Sequence, residues 1–411
     1  MKNSFLLLIS ALFFGTASFS QTEIWKMQDY SIGQNVAGFP GGIANTIPTM
    51  AEVIQLPDST YRMYFNSQWN LGVKHCISYA ESPDAINWTV IDTSFCGSTD
   101  TLQRNFIIGG PSVVKLSSGQ YRMYYRCTQK YPSGGTPQYH VRSAISSDGI
   151  NFTQEGIRID IKPFQPTSPF YLVGHGSYYK LSDGTFAGIF SANPDTSTLS
   201  APSSLIHGTS ADGLTWGNYT FLYSKHHDPI VVEKNGDYYM YGMNLAKYMV
   251  KAVSTDGLTW PVTADSVYFI DTLNLPMIVG GTKQIGDVGG IVMPDNEIFL
   301  YTNYGTTTGP SKDIIRFELQ NPVTDLLEST ITEGITIFPN PSNGHLQFAV
   351  NATQVSKGEI EIYNLLGESL FHSSNVEFKN ATIELDIPSG IYIVKIYCDE
   401  NFYLNKIIIQ K

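Results

Sequence analysis

Short segments in which apolar and polar residues alternate recur along the first three quarters of the chain. Four of them are rich in aromatic residues, and each follows a turn such as Ser118-Gly119; they occupy residues 61–65, 121–125, 186–190 and 238–241. A strand that leaves a hairpin has this pattern. No segment shows a sustained period of about 3.6 residues, so few helices are expected. The chain is therefore predicted to be all-β.

A second repeat follows these segments and has the form Ser-x-Asp-Gly-x-x-aromatic. Its clear copies contain Asp148, Asp212 and Asp256, and a degenerate copy contains Asp84. In such a turn the Asp accepts hydrogen bonds from amides two residues on, the Gly adopts a positive φ, and the aromatic residue packs into the core. A turn that recurs from unit to unit suits a scaffold better than a single active site. We therefore exclude these four Asp residues from the site.

Each alternating segment and its neighbours form a small antiparallel meander, and five meanders lie between residues 21 and 320. The last meander has three clear strands, so residues 23–27 are expected to pair with it and close a ring, which removes exposed edge strands. A β-sandwich does not predict five copies of one meander, and a β-helix needs much shorter repeats. We predict a five-bladed β-propeller over residues 21–320.

The two ends of the chain differ from the propeller. Residues 1–20 have a basic start, a short apolar segment and a small-residue region, as expected for a cleaved signal peptide. Residues 321–333 are predicted to be a linker, and residues 334–411 a small Ig-like β-sandwich of short alternating strands. No segment other than the signal peptide is long enough to be considered for a membrane span.

The C-terminal module contains three motifs in order: GITIFPNPSNG at residues 334–344, EIYNLLGE at residues 361–368 and LDIPSGIYIVK at residues 385–395. With these motifs it closely resembles the type A C-terminal sorting domain of the type IX secretion system. The resemblance implies that the type IX machinery is a partner and carries the chain across the outer membrane of Bacteroidota. The propeller would then be cargo that is secreted or attached to the cell surface.

Composition agrees with an exported β protein. Charged residues make up 15% of the chain and aromatic residues 13%. The formal net charge of −11 argues against nucleic acids and anionic membranes as partners and favours neutral ligands, including many glycans. Four cysteines do not form a disulfide scaffold in a chain of this length. We predict one bridge, Cys76–Cys96, because these residues flank the hairpin at Asp84, and we expect Cys127 and Cys398 to be buried thiols.

Five meanders with Ser-x-Asp-Gly-x-x-Trp turns resemble the five-bladed glycoside hydrolases, which include arabinanases, β-xylosidases, invertases and levansucrases. The turns are also similar to sialidase Asp boxes, although their spacing differs and no arginine triad is evident. The glycoside hydrolase resemblance implies three catalytic carboxylates on the innermost strands of the first three blades. Alignment of the blades places five residues at equivalent central positions: Met50, Gly110, His175, Asp228 and Asp287. The first three of these are not acids.

One hypothesis is therefore an active site whose carboxylates are Asp228, Asp287 and Glu52, from blades four, five and one, which are neighbours in a closed ring. His175 would face the same channel as a proton relay or metal ligand. No cofactor and no metal are predicted. His226 and Asp228 would share one face of their strand, because adjacent residues point to opposite faces, but their spacing matches no closed zinc motif.

The other hypothesis is a propeller that binds a glycan or a surface protein without turning it over. Aromatic side chains in loops or at strand ends would stack on sugar rings, and the arginines near them would orient an acidic sugar. The predicted ligand-binding residues are Trp69, Arg104, Tyr131, Phe170, His226 and Tyr304. Further members of the two groups are Tyr139, Tyr171, Arg126 and Arg142.

Overall fold

A computed structural model describes most of the chain between residues 23 and 410. The described residues are 23–32, 47–69, 74–98, 104, 106–128, 139–194, 203–244, 249–270, 276–277, 283–306, 312–319, 335–350, 357–364, 369–378, 381–398 and 401–410. The predicted signal peptide, residues 1–20, and the predicted linker, residues 321–333, lie outside them. Across this described part, no helix is both long and apolar enough to cross a membrane.

The described part begins with strand β1 (Ile24–Ile32), after which four antiparallel meanders follow one another along the chain. The first contains β2 (Ile47–Gln55), β3 (Tyr61–Trp69), β4 (Lys74–Ser82) and β5 (Thr89–Cys96). The second contains β6 (Ile107–Lys115), β7 (Tyr121–Thr128), β8 (His140–Ser146) and β9 (Thr153–Ile159). The third contains β10 (Leu172–Lys180), β11 (Phe186–Asn193), β12 (Ser204–Ser210) and β13 (Gly217–Ser224). The fourth contains β14 (His226–Lys234), β15 (Asp237–Asn244), β16 (Met249–Ser254) and β17 (Asp265–Ile270), beside the short β18 (Pro276–Met277).

The fifth meander is completed by the N-terminal strand, as predicted. It contains β19 (Lys283–Val292), β20 (Ile298–Thr306) and β21 (Lys312–Leu319). Strand β1 pairs antiparallel with β21, where Trp25 lies opposite Leu319. On its other side β1 pairs in parallel with β17 of the fourth meander. The first strands of the five meanders contact one another in the cyclic order β2, β6, β10, β14, β19 and back to β2. The chain therefore forms a closed five-bladed β-propeller, and the all-β prediction is confirmed.

The Ser-x-Asp-Gly turns have the scaffold role that the sequence predicted. In the third blade, Asp212 Oδ1 accepts hydrogen bonds from the amides of Leu214 and Thr215 at 2.8 and 2.7 Å. These amides lower the pKa of the exposed Asp212 carboxyl to about 2. Gly213 has a φ of +70°, and a Cβ at this position would lie 2.7 Å from the hydroxyl of Tyr124. The turn therefore requires glycine both for its backbone conformation and for its contact with the neighbouring blade.

Each of these turns is also tied to the preceding blade. Tyr124 on β7 donates to the carbonyl oxygen of Gly213 at 2.7 Å, and Arg122 donates to the carbonyl oxygen of Asp212 at 3.0 Å. Equivalent tyrosine bonds recur around the ring: Tyr64 to Gly149, Tyr179 to Gly257 and Tyr301 to Ala85. The repeated turn is thus a tie between blades, which explains why its sequence is kept in blade after blade.

The C-terminal module is a two-sheet sandwich. One sheet contains β22 (Ile335–Phe338), β23 (His345–Val350) and β26 (Thr382–Glu384). The other, in the order β25-β24-β27-β28, contains β24 (Lys357–Asn364), β25 (Ser369–Glu377), β27 (Gly390–Cys398) and β28 (Asn401–Ile409). Leu346 and Phe348 of the first sheet pack with Ile360, Ile362 and Val394 of the second in one hydrophobic core. The predicted sandwich is confirmed.

Cysteine pairing also follows the prediction. Cys76 and Cys96 lie opposite each other on β4 and β5 and form a disulfide. Cys127 is a buried thiol, and burial raises its pKa. Its sulfur lies 3.2 Å from Nε2 of the buried His140. Cys398 lies in β27, but its side chain is outside the described part of the structure.

Candidate functional site

Every innermost strand contains a β-bulge at the same level of the propeller. The pairing with the second strand shifts at this point in all five blades, between Thr49 and Glu52, Gly109 and Ser112, Val173 and Gly176, His227 and Ile230, and Gly286 and Gly289. Two residues on the inner strand therefore lie in each bulge. The first of them has a positive φ in four blades: Met50 (54°), Gly110 (59°), Asp228 (50°) and Asp287 (44°). Positive φ in a non-glycine residue is uncommon and draws attention to this level of the axis.

The bulges correct the sequence alignment of the third blade. Its two bulge residues are Gly174 and His175, because the shift lies between Val173 and Gly176. The residue equivalent to Met50 and Asp228 is therefore Gly174, and His175 corresponds to the second bulge residue of the other blades. A spacing derived from sequence alone does not locate the bulge within each strand.

A hydrogen-bonded His-Asp pair forms the centre of the axial cluster. Nδ1 of His227 lies 2.7 Å from Oδ2 of Asp228, and each side chain is 18% exposed. Nδ1 of the buried His175 lies 4.0 Å from Oδ1 of the same carboxylate. The backbone amide of Asp228 donates to Ser191 Oγ at 2.8 Å, which holds the bulge against the third blade. Asp228 is thus fixed between two imidazole rings.

Asp228 is bound by its direct neighbour in sequence, His227, at the point where the bulge interrupts the alternation of side chains along β14. The sequence pattern assigns only His226 to the same strand face as Asp228. Nδ1 of His226 instead lies 2.6 Å from the carbonyl oxygen of Ser224, and its ring packs beside Tyr223. His227, which the alternation placed on the opposite face, contacts the carboxylate.

The three groups have different protonation equilibria. Burial alone would raise the pKa of Asp228, but the hydrogen bond and charge of His227, with the charges of His175 and Arg126, hold the pKa well below its ordinary value. Burial likewise opposes the positive form of His227, yet its bond to Asp228 and the charges of Asp228 and Asp287 give it a raised pKa. Burial lowers the pKa of His175 to about 4. At neutral pH, His175 is therefore neutral and Asp228 is ionised.

Asp287 occupies the equivalent bulge position on the adjacent inner strand β19. Its Oδ2 accepts a hydrogen bond from Nδ2 of Asn303 on β20. Oδ1 of Asn303 accepts from the amide of Met50 at 3.0 Å, so this side chain links blade five to blade one. The charge of Asp287 also contributes to the raised pKa of His227, which Asp228 contacts directly. This brings Asp228 and Asp287 into one electrostatic cluster.

Glu52 has a different environment. It follows the bulge of β2 and is 8% exposed, and its Oε1 accepts a hydrogen bond from the amide of Val113 on β6 at 3.4 Å. Serine hydroxyls make the same kind of link between other inner strands: Ser112 accepts from the amide of Tyr178, and Ser177 from that of Val231, both at 2.9 Å. Burial raises the pKa of Glu52 to about 8. Its contacts are those of a neutral link between blades one and two.

The predicted ligand-binding residues are scattered. Phe170 is 2% exposed and packs with Phe190 and Tyr219, so its ring belongs to the core of blade three and offers no face to a ligand. Arg104 pairs with Asp160 and lies over the Phe164 ring. Tyr131 lies outside the described residues. Trp69 and Tyr304 lie in β3 and β20, but their side chains are outside the described part.

Arg126 is the axial residue whose importance the sequence did not reveal. It lies on β7 opposite Gly109, and its Nη2 is 3.7 Å from Met50 Sδ. Its guanidinium lies 4.7 Å from the centre of the Tyr139 ring. Sequence inspection named Arg126 only as one of several arginines. Its position near the axis depends on its register with Gly109, which borders the bulge of β6, and that register is a property of the folded sheet.

Potential metal ligands were also compared. Among the described residues, one group brings three His or carboxylate ligand atoms within 4.8 Å of one another: Glu359, Glu361 and His372 of the C-terminal module. This group lies on the exposed side of the β24-β25 pair, where Nε2 of His372 contacts Oε1 of Glu359. Within the same described residues, the axial cluster of the propeller does not form such a group.

Comparison with known proteins identifies the C-terminal module. Residues 336–410 match the family described as "Secretion system C-terminal sorting domain". No curated protein matches the sequence. Solved structures resemble the chain at low identity, and we give three of them.

An exo-β-1,3-galactanase from Clostridium thermocellum is 14% identical with a TM-score of 0.54, and the match covers 92% of this chain and 96% of that one. An exo-β-1,3-galactanase from Phanerochaete chrysosporium is 11% identical with a TM-score of 0.51, and the match covers 93% of this chain and 100% of that one. An α-L-arabinofuranosidase from Lactobacillus brevis is 11% identical with a TM-score of 0.51, and the match covers 66% of this chain and 90% of that one. Similarity at this level describes the fold. Residues 336–410 are thus a type IX secretion sorting domain, which directs the chain to secretion or to the cell surface, and the propeller before it has the fold of these glycoside hydrolases.

Proposed function

We propose that the propeller acts on an extracellular glycan at its axis and hydrolyses a glycosidic bond there. One observation supports this most directly: Asp228 and Asp287 occupy equivalent bulges on neighbouring inner strands, and Asp228 is hydrogen-bonded to His227. Glycoside hydrolysis needs one group that protonates the leaving oxygen and one carboxylate that attacks or activates water. The fold shared with a galactanase and an arabinofuranosidase supports a glycan as the substrate.

In this proposal the acid is His227 and the base or nucleophile is Asp287. The Nδ1 atom of His227 is engaged by Asp228, so the proton on Nε2 is the one available for transfer. Asp228 would orient the ring and stabilise its charged form, as a carboxylate does for the histidine of a hydrolytic triad. Asp287 would act on the anomeric carbon or on water. His175, neutral at neutral pH, would position Asp228 and would not act as the proton relay that the sequence suggested.

A second candidate function is binding without turnover. It is favoured by the first bulge residues of blades one, two and three, which are Met50, Gly110 and Gly174 and carry no carboxylate. The resemblance to the five-bladed hydrolases implied acids on the inner strands of these blades. If Asp228 and Asp287 serve only to hold polar ring hydroxyls, the propeller would retain glycans and release no product.

The test uses the full exported chain on a panel of aryl-glycosides and plant and microbial polysaccharides, with product release and retention measured in parallel. Turnover that depends on both Asp287 and His227 supports hydrolysis. Retention without product supports the second candidate. If the chain neither retains nor cleaves any of the neutral and acidic glycans, the glycan proposal is overturned.

The pH dependence gives an independent check. An acid of raised pKa is active while protonated, so kcat/KM should fall as the pH rises above the ordinary value for histidine, about 6.5. His227→Gln should abolish this fall of kcat/KM with rising pH, whereas His175→Asn should keep it. A basic limb that survives in His227→Gln would assign the acid to another group.

A further inference from the structure

We infer that the axial site recognises an acidic sugar, through a charged and forked hydrogen bond between Arg126 and a sugar carboxylate. This inference rests on the proposed function, because it names the class of glycan that the same site takes. It differs from the neutral ligand that the overall charge of the chain suggested.

Arg126 lies near the axis, beside two glycines on the inner strand of blade two. It lies opposite Gly109, which borders the bulge of β6, and the first bulge residue is Gly110, so two successive residues of the inner strand here have no side chain. Side chains of the neighbouring blades occupy the space that a Cβ would need: a Cβ on Gly109 would clash with Asn66 Oδ1, and a Cβ on Gly110 would meet the His175 ring at 2.9 Å. The guanidinium of Arg126 contacts the sulfur of Met50 in blade one.

The equivalent positions of the other blades carry no charge. The residue that faces the first flank of the bulge is Asn66, Ala192, Met243 and Asn303 in blades one, three, four and five. Asn303 shows what such a side chain can do, since it binds both an inner-strand amide and the carboxylate of Asp287. Of these five equivalent positions, only the one in blade two carries a cation.

Within the described part of the chain, Arg126 also has no carboxylate partner of the kind that similar arginines have. Arg62 pairs with Glu81, Arg122 with Glu155, and Arg316 with Asp29. Among the described residues, Arg126 has no ion pair, and its contacts are a thioether sulfur at 3.7 Å and the face of Tyr139. A thioether is a weak acceptor. A partly buried guanidinium with several unused donors is costly to keep unless an anion binds it.

The nearby acids are engaged elsewhere. Asp228 is held by His227, and Asp287 accepts from Asn303. A planar carboxylate matches the two parallel N–H donors of a guanidinium, and its negative charge would pair with the positive charge of Arg126. A sugar that carries a carboxylate, a uronic acid, is therefore the expected ligand.

The experiment compares one polysaccharide in two forms: native polymers that contain uronic acid, and the same polymers after reduction of their carboxyl groups to neutral alcohols. Binding of the full exported chain is measured by affinity electrophoresis and titration calorimetry, and turnover by product release. We expect the native form to bind at least about tenfold more tightly than the reduced form. Arg126→Gln should lose this preference, so that the variant binds the native and reduced forms with affinities within about threefold of each other.

Two variants complete the design. Arg126→Lys keeps the charge and loses the fork, so it should recover part of the preference. Arg158→Gln is the matched control: Arg158 lies on the outermost strand of the same blade, where it donates to backbone carbonyl oxygens, and its loss should not change the preference. Comparison of the two polymer forms with the wild type needs no variant, so a poorly folding substitution does not decide the result.

The possible outcomes separate the two proposals. Equal binding or turnover of native and reduced forms would overturn the acidic-sugar inference and leave the glycan proposal intact. Preference for sulfated neutral polymers over uronic acid polymers would overturn the assignment of the anion as a carboxylate. Failure to bind or cleave any form, neutral glycans included, would count against the proposed function itself.

Discussion

The outer turns and the inner bulges of this propeller both repeat from blade to blade, but they repeat different things. The turns repeat sequence: Asp148, Asp212 and Asp256 each accept hydrogen bonds from the amides two and three residues on. The bulges repeat backbone geometry, and their first residues range from Met50 to Asp228. The turn side chains are part of the fold, whereas the bulge side chains are free to differ.

This difference shows where chemistry can be placed on a repeated scaffold. A side chain that makes the same bond in each blade cannot change without loosening a tie between blades. A bulge holds its neighbours through the backbone, as when the amide of Asp228 donates to Ser191. Its side chain can therefore vary at little cost to the fold, and the only acids at the first bulge position, Asp228 and Asp287, mark one side of the ring.

The largest expected effect separates an axial acid from a turn acid. Asp287→Asn removes the proposed base or nucleophile, so turnover should fall by about 100-fold or more. Asp212→Asn changes an exposed turn carboxylate and should leave kcat/KM within about twofold of the wild type. Both are measured on the best substrate of the panel. If the turn variant lost activity as strongly as the axial one, the division between scaffold and site would be wrong.

The second effect tests how much the turns hold the blades together. Gly213→Ala forces alanine into a positive φ and directs its Cβ at the Tyr124 hydroxyl, so the free energy of unfolding should fall by about 2 kcal/mol or more. Gly217, at the start of β13, serves as the control, because an added methyl there would meet no atom within 4 Å; its alanine variant should be nearly neutral. Thermal and denaturant unfolding measure both. Similar losses in the two variants would argue that the tie to Tyr124 adds nothing.

The smallest effect concerns Glu52, an inner-strand acid that we assign to the scaffold. Its pKa is raised from 4.5 to about 8, so the folded state keeps a proton that the unfolded chain releases. The contribution of Glu52 to stability is complete below pH 4.5 and is lost as the pH rises towards 8. Glu52→Gln lacks this dependence, so its stability relative to the wild type should increase between pH 5 and pH 8 while turnover persists.

Unfolding curves at several pH values, with activity at one of them, test the Glu52 assignment. Parallel stability curves for the wild type and Glu52→Gln would mean that Glu52 is not buried as a neutral group. Loss of turnover in a stably folded Glu52→Gln would return this residue to the catalytic set that the sequence suggested.

Local patterns predicted the fold well. The alternating segments and turns located the strands, the flanking of one hairpin paired Cys76 with Cys96, and the short last meander pointed to closure by residues 23–27. These features depend on neighbours in sequence or on a single hairpin. The site was predicted less completely, because its geometry depends on the bulges and on contacts between blades: His227 binds its neighbour Asp228, Glu52 accepts from blade two, and Arg126 lies near Met50 of blade one.

The sequence by itself determined the propeller, the ties between its blades and the sorting domain, because hairpin turns, strand alternation and terminal motifs are local and recur. The tertiary structure alone decided which side chains meet at the axis. One extra residue in a bulge reverses the direction of every side chain up to that point relative to those beyond it. The axial cluster of Asp228, His227, Asp287 and Arg126 forms only when bulges in different blades are brought to the same level of a closed ring.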